Sequence, residues 1–224
     1  LAAHFEHEWR RLYMGNVVAG PYSPDPVSAG RRSLRNLALG FLMELETPEI
    51  QSLALTQLND ADNMTDAMAA LSALANSDCA ERIEALRWFY DKWRDEPLVV
   101  DKWLAVQASS RLPATLAEVK SLLTHPAFDM RNPNKVRAVI GAFCQGNHVR
   151  FNAADGSGYA FAAEQVIALD PHNAQVAARM ARSFDRWRKF DAAHQAHAQA
   201  ALMRIRDTEG LSKDTFEVVS RALA

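Results

Sequence analysis

The sequence predicts an all-α protein, an irregular α-solenoid or superhelix of antiparallel helix pairs, and three observations carry that expectation. Helical periodicity runs through nearly all of the 224 residues, and strand-like alternation is almost absent. The breaks are short and punctuated, as at "PYSPDP" (21–26), Pro97, Pro113, "HP" (125–126), "DGSG" (155–158), "DP" (170–171) and "EG" (209–210). Short links between helices of moderate length make antiparallel neighbours, and repeated pairs stack, each burying its apolar side against the next. No strict repeat of the tetratricopeptide or ankyrin kind occurs, which makes the solenoid irregular. A compact helical bundle is the second architecture that fits.

The elements follow in order. The chain opens at Leu1, without an initiator Met, and runs straight into a helix, as a fragment of a larger protein would. In "SAGRRSLRNLALGFLMELE" (28–46), Leu34, Leu37, Ala38, Phe41, Leu42 and Leu45 make one apolar stripe. Ser28 is the expected cap, and Arg31, Arg32 and Arg35 lie off the stripe. A second helix follows Pro48. A third opens at "NMTD", where Asn63 caps and Asp66 reaches back in a variant of the capping box. Further helices are expected at 79–94, 97–110, 115–124, 133–145, 158–169, 172–186, 190–208 and 212–223. In the stretch "RNPNKVRAVIGAF" (131–143), Asn132 is an N-cap and Pro133 fits the first helical position, where a missing N–H costs nothing. Val136, Val139, Ile140 and Phe143 then share one face and leave Arg137 and Gly141 to one side.

Composition narrows the function. A content of 49% hydrophobic and 23% charged residues fits a globular protein, as one large domain or two small ones. With 25 basic side chains against 27 acidic ones, the net charge of -2 provides no global field toward nucleic acid or an anionic membrane. Cys79 and Cys144 lie far apart, with neither metal-ligand spacing nor a disulfide framework, and point to a reducing compartment such as the cytoplasm. No signal peptide and no membrane-spanning run is found.

Several chemical motifs fail on spacing. "HFEHE" (4–8) would need a second His where Arg11 stands to become a zinc H-E-x-x-H. His194 and His197 lie three apart on one helix, but no third metal ligand accompanies them. "DGSGY" (155–159) matches neither a nucleophile elbow nor a phosphate loop, so Gly156 and Gly158 are read as a turn before a helix N-terminus, which could still receive an anion. The two "DKW" runs (91–93 and 101–103) place Trp93 and Trp103 as core anchors, with Asp and Lys at the rim. Arg131, Lys135 and Arg137, with Arg179, Arg182, Arg186, Arg188 and Lys189, would make a phosphate-binding stripe if the two helices lay side by side. Interleaved Asp185 and Asp191 argue instead for a charged solvent face.

Six blocks in order carry a resemblance: "SLRNLALGFL" (33–42), "ADNMTDAMAALSAL" (61–74), "VDKWLAVQA" (100–108), "NPNKVRAVIGAF" (132–143), "DGSGYAF" (155–161) and "NAQVAARM" (173–180), with the terminal "LSKDTFEVVSRALA". Together they resemble the C-terminal domain of the bacterial alanyl aminopeptidase (aminopeptidase N) family, over nearly the whole chain. The resemblance implies that residues 1–224 are a single helical C-terminal domain of a larger zinc metallopeptidase that removes N-terminal residues from peptides. It also implies that the zinc ligands, the general-base Glu and the G-x-M-E-N amine-binding sequence belong to a preceding domain. None of these motifs occurs in the chain, so the 224 residues alone are expected to be inactive, with no catalytic residue and no metal or cofactor of their own. The implied partners are the catalytic domain of the same polypeptide and peptide substrates. In such a domain, Arg137, Gln175 and Arg179 correspond to residues facing the substrate cavity. Arg131 and Ala174 depart from the family's commoner "SNPN" and "NPQV", which bears on substrate preference. The alternative, from a different class, is a stand-alone α-solenoid scaffold for protein interaction.

Overall fold

The computed structural model describes residues 1–224 and contains thirteen α-helices and no strand. The chain folds as two compact units, Leu1–Asp95 and Glu96–Ala224.

The first unit holds α1 (Glu6–Gly15), α2 (Pro26–Met43), α3 (Pro48–Asp60), α4 (Met64–Ala75) and α5 (Ala80–Trp93). Pro26 and Pro48 open their helices at a position whose N–H has no intrahelical acceptor, and Asp25 and Thr47 cap the N–H groups that follow. The cap of α2 is thus Asp25 rather than Ser28, whose own N–H donates to Asp25 Oδ1 at 3.0 Å. Asn63 caps α4 as expected: it accepts from Asp66 N at 3.0 Å, while Asp66 Oδ2 accepts from the Asn63 side-chain amide at 3.0 Å. Neighbours α1–α2 and α3–α4 pack as hairpins, and the next-but-one pairs α2–α4 and α3–α5 also touch. That pattern is how stacked helical pairs share a continuous core.

The stripe expected on α2 is only half correct. Ala38 and Leu42 are buried, but Leu34 and Leu37 are 45% and 53% exposed, and the inward positions are Arg32, Ala38, Leu39, Leu42 and Met43. The helix carries two overlapping apolar stripes. The one that wins has α1 on one flank and α4 on the other, and Arg32 enters the interior on its long aliphatic stem.

The second unit holds α6 (Pro97–Ala108), α7 (Thr115–Leu122), α8 (Pro133–Val136), α9 (His148–Phe151), α10 (Ser157–Leu169), α11 (Ala174–Ala181), α12 (Ala192–Arg206) and α13 (Lys213–Leu223). Asn132 caps α8 through Asn134 N, and α8 widens without a break into a π-helical segment, Arg137–Gly146. Val136, Val139, Ile140 and Phe143 are fully buried along it, and Phe143 meets Phe161 edge-on at 5.3 Å. The helix expected over 172–186 stops at Ala181 and gives way to two 3-10 turns, Arg182–Phe184 and Trp187–Lys189. The tighter winding lets Phe184 pack on Phe151 and Tyr159 while Trp187 Nε1 donates to Ala222 O at 3.0 Å. Next-but-one packing recurs in α10–α12 and α11–α13.

Asp170, read from sequence as loop punctuation, is a buried junction. Its carboxylate accepts from Ser212 N at 2.7 Å, from Ser212 Oγ at 2.6 Å and from Thr215 Oγ1, tying the end of α10 to the start of α13. Burial pushes its carboxyl upward, and the three hydrogen bonds outweigh that, holding it below its ordinary 3.8.

Candidate functional site

On α11, Val176, Ala177, Ala178, Met180 and Ala181 are buried, which leaves Gln175 and Arg179 exposed one turn apart. Asn173 fixes the start of that helix by accepting from Val176 N at 3.1 Å. Gln175 and Arg179 line one shallow depression, with Arg182, Asp214, Glu217 and Val218 completing it. Arg182 is engaged with Asp185 at 3.6 Å and Glu217 with Arg221 at 2.6 Å. The Arg179 guanidinium makes no ion pair within the chain, so its five N–H donors remain open to a ligand.

Arg137 does not line that depression. It stands on the adjoining π-helical segment, exposed, with Nη1 donating to Asn134 Oδ1 at 3.1 Å. Two contacts couple this segment to α11. Gln145 Nε2 donates to Arg179 O at 3.1 Å, and Gly141 packs beside Met180, where a Cβ would stand at an ordinary contact distance of 3.8 Å from both Met180 Sδ and Arg137 Cβ. Of the three residues singled out in the sequence, the structure thus brings two into one depression and puts the third on the neighbouring element. Gln145, which steadies the α11 backbone, had no sequence signal, because its partner lies 34 residues away.

The phosphate stripe is dismantled by packing. Lys135 is buried, with Nζ 2.7 Å from Asp101 Oδ1 and donating to Pro97 O at 3.2 Å, so it points away from solvent. Arg131 pairs with Asp129 at 3.2 Å, and Arg188 donates to Leu223 O at 2.8 Å. Trp103 is buried as expected of a core anchor, whereas Trp93 is half-buried and carries Lys92 Nζ at 5.6 Å from its ring. The rim role expected for Asp101 is replaced by its pairing with Lys135.

The remaining motifs have structural occupations. Gly156 adopts φ +71°, and the helix start it precedes is already served by a carboxylate: Asp155 Oδ1 accepts from Ser157 N at 3.0 Å and from Ser157 Oγ at 2.7 Å. An incoming anion would meet that charge. His194 places Nδ1 2.6 Å from Asp191 Oδ2 and Nε2 3.2 Å from Asn152 O, which uses both ring nitrogens inside the fold. No three His, Cys, Asp or Glu side chains converge in a group that could hold a metal. Cys144 is buried, and burial pushes its thiol up, which makes it inert. No helix is long and apolar enough to cross a membrane.

Comparison with known proteins agrees over the full length. A family model described as "Domain of unknown function (DUF3458_C) ARM repeats" matches residues 1–224. The chain is 38% identical over 224 residues to aminopeptidase N of Escherichia coli (strain K12), covering 100% of this chain and 26% of that protein. Aminopeptidase N of Caulobacter vibrioides is 36% identical over 225 residues, again 100% of this chain and 26% of the relative. The chain therefore spans about a quarter of the length of the curated relatives it matches. A crystal structure of Legionella pneumophila aminopeptidase A in complex with aspartic acid superposes with a TM-score of 0.91 at 29% identity, covering 100% of this chain and 27% of that one. The ARM-repeat description accords with the neighbour and next-but-one packing seen within each unit. This chain belongs to the DUF3458_C ARM-repeat family and corresponds to the C-terminal domain of bacterial aminopeptidase N.

Proposed function

We propose that the chain is the non-catalytic helical domain of a zinc-dependent aminopeptidase that removes N-terminal residues from peptides, capping the catalytic domain of the same polypeptide. In this reading Arg137, Gln175 and Arg179 line the substrate cavity. The observation that carries it is the pairing of exposed Gln175 with an unpaired Arg179 guanidinium, on a helix whose opposite face is buried. Zinc held by the catalytic domain supplies the activated water. The residues of this chain act only on what lies beyond the scissile bond. There a guanidinium holds a peptide carbonyl or a terminal carboxylate, and the amide of Gln175 can donate or accept beside it. Two cysteines, both free thiols, favour a reducing compartment, the cytoplasm, for the whole enzyme.

The test is kcat/KM of the intact enzyme for a tripeptide and for alanyl-p-nitroanilide, which has almost nothing beyond the scissile bond. Losing a charge-assisted hydrogen bond costs about 1.5–3 kcal/mol, so Arg179→Ala should lower the tripeptide value about 10- to 150-fold and leave the anilide nearly unchanged. Arg179→Lys should restore only part, because a point charge cannot reproduce the planar fork. Equal losses on both substrates would make Arg179 a bridge between domains and sink the cavity role.

A further inference from the structure

In the first unit, α1, α2, α3 and the loop 16–25 border a cavity of about 460 Å³. Arg32 and Arg35, one turn apart on α2, reach it from one side. Arg32 is only 4% exposed and forms no ion pair. Its Nη2 donates to Ser23 O at 2.7 Å and the Tyr22 ring lies 4.8 Å away, while Nε and Nη1 have no acceptor. Arg35 also lacks a carboxylate partner. Its Nη2 donates to Tyr13 Oη at 3.1 Å, its guanidinium lies 4.6 Å from the centre of that ring, and its Nε is buried without an acceptor.

An arginine cannot give up its proton to relieve the cost of burial, so the donors left open on this pair are suited to an anionic group. Asp66, the buried carboxylate on the same cavity, makes no ion pair with either arginine: Oδ1 accepts from Asn36 Nδ2 at 2.8 Å and Oδ2 from Asn63 Nδ2 at 3.0 Å. Tyr13 adds a donor, because its oxygen accepts from Arg35 while its own proton is uncommitted, and burial keeps the phenol protonated. The same cavity is bordered by two exposed carboxylates, Asp60 and Asp62, neither of them ion-paired, and by apolar Val18 and Leu53.

A cationic pair made of one buried and one half-buried arginine, an acidic border and an apolar wall in one small cavity match the three parts of an amino acid. We infer that this cavity binds a free α-amino acid with an apolar side chain, its carboxylate on Arg32 and Arg35, its ammonium toward Asp60 and Asp62, and its side chain against Val18 and Leu53. A dianion such as phosphate would be repelled by the two carboxylates, and the volume suits a small ligand rather than a long peptide.

The experiment is calorimetric titration of the full chain with L-leucine, with leucinamide (no carboxylate) and with 4-methylpentanoate (no ammonium). Leucine should bind saturably and each analogue at least about tenfold more weakly, the factor one charge-assisted hydrogen bond is worth. Arg32→Met keeps the packed stem and should abolish leucine binding. If circular dichroism shows that this variant fails to fold, the exposed Asp60→Asn decides, and should weaken leucine while leaving 4-methylpentanoate unchanged. Absence of saturable leucine binding, leucinamide binding as tightly as leucine, or inorganic phosphate binding in its place would each overturn the inference.

Discussion

Asp170 is 6% exposed and serves three donors from a segment more than forty residues further along the chain, so its charge is worth more folded than unfolded. The sign for pH follows from the depressed carboxyl. Its contribution to stability is present above the unfolded value near 3.8 and is lost as pH falls through the lower folded value. Asp170→Asn should therefore destabilise the protein by about 1–3 kcal/mol at neutral pH, with the gap to wild type closing below pH 3.8, as urea unfolding across a pH series would measure. A gap independent of pH would contradict the charge-based account. Nothing local in "ALDPHN" announces this role. A hydrogen bond between residues 42 positions apart leaves no periodic trace, whereas the Asn63 and Asn132 caps, which act within three residues, were legible. The same locality rule explains the site: Gln175 and Arg179 could be paired from their four-residue spacing, but the unpaired state of Arg179 could be seen only once its neighbours were in place.

Among elements, the close approach of α10 to α9 depends on one missing methyl group. A Cβ on Gly158 would lie 2.2 Å from Phe151 O and 2.7 Å from Phe151 C, backbone atoms that cannot swing aside. Gly158→Ala should cost about 1–3 kcal/mol or more through overpacking. Gly141→Ala, which meets its nearest atoms at 3.8 Å, should be neutral or stabilising by up to about 1 kcal/mol. Midpoints of chemical denaturation compare the two, and similar costs would contradict the packing described. Helix positions were readable because apolar periodicity and Pro-Asp-Gly punctuation are local signals. The helix break at Ala181 and the inward turn of Arg32 were not. Each is decided by distant partners: Phe151, Tyr159 and Ala222 for the first, Ser23 and Tyr22 for the second. The exposed Leu34 and Leu37 belong to the same lesson, since an amphipathic pattern marks apolar faces without saying which neighbour covers them.

For the whole molecule, the match of all 224 residues to about a quarter of aminopeptidase N underlies the central proposal, that this chain caps a peptidase whose chemistry lies in another domain. The chain alone should then turn over no aminoacyl anilide, with or without added zinc. Turnover that survives repurification and is lost to a chelator would reveal a metal site. The most direct measurement is complementation, with tripeptide turnover by the catalytic remainder of the enzyme, expressed without these 224 residues, followed as the separate chain is added. Weak peptide hydrolysis by the remainder alone and a saturable rise as the chain docks are expected. A remainder whose peptide turnover is already full and indifferent to the added chain would contradict the proposal.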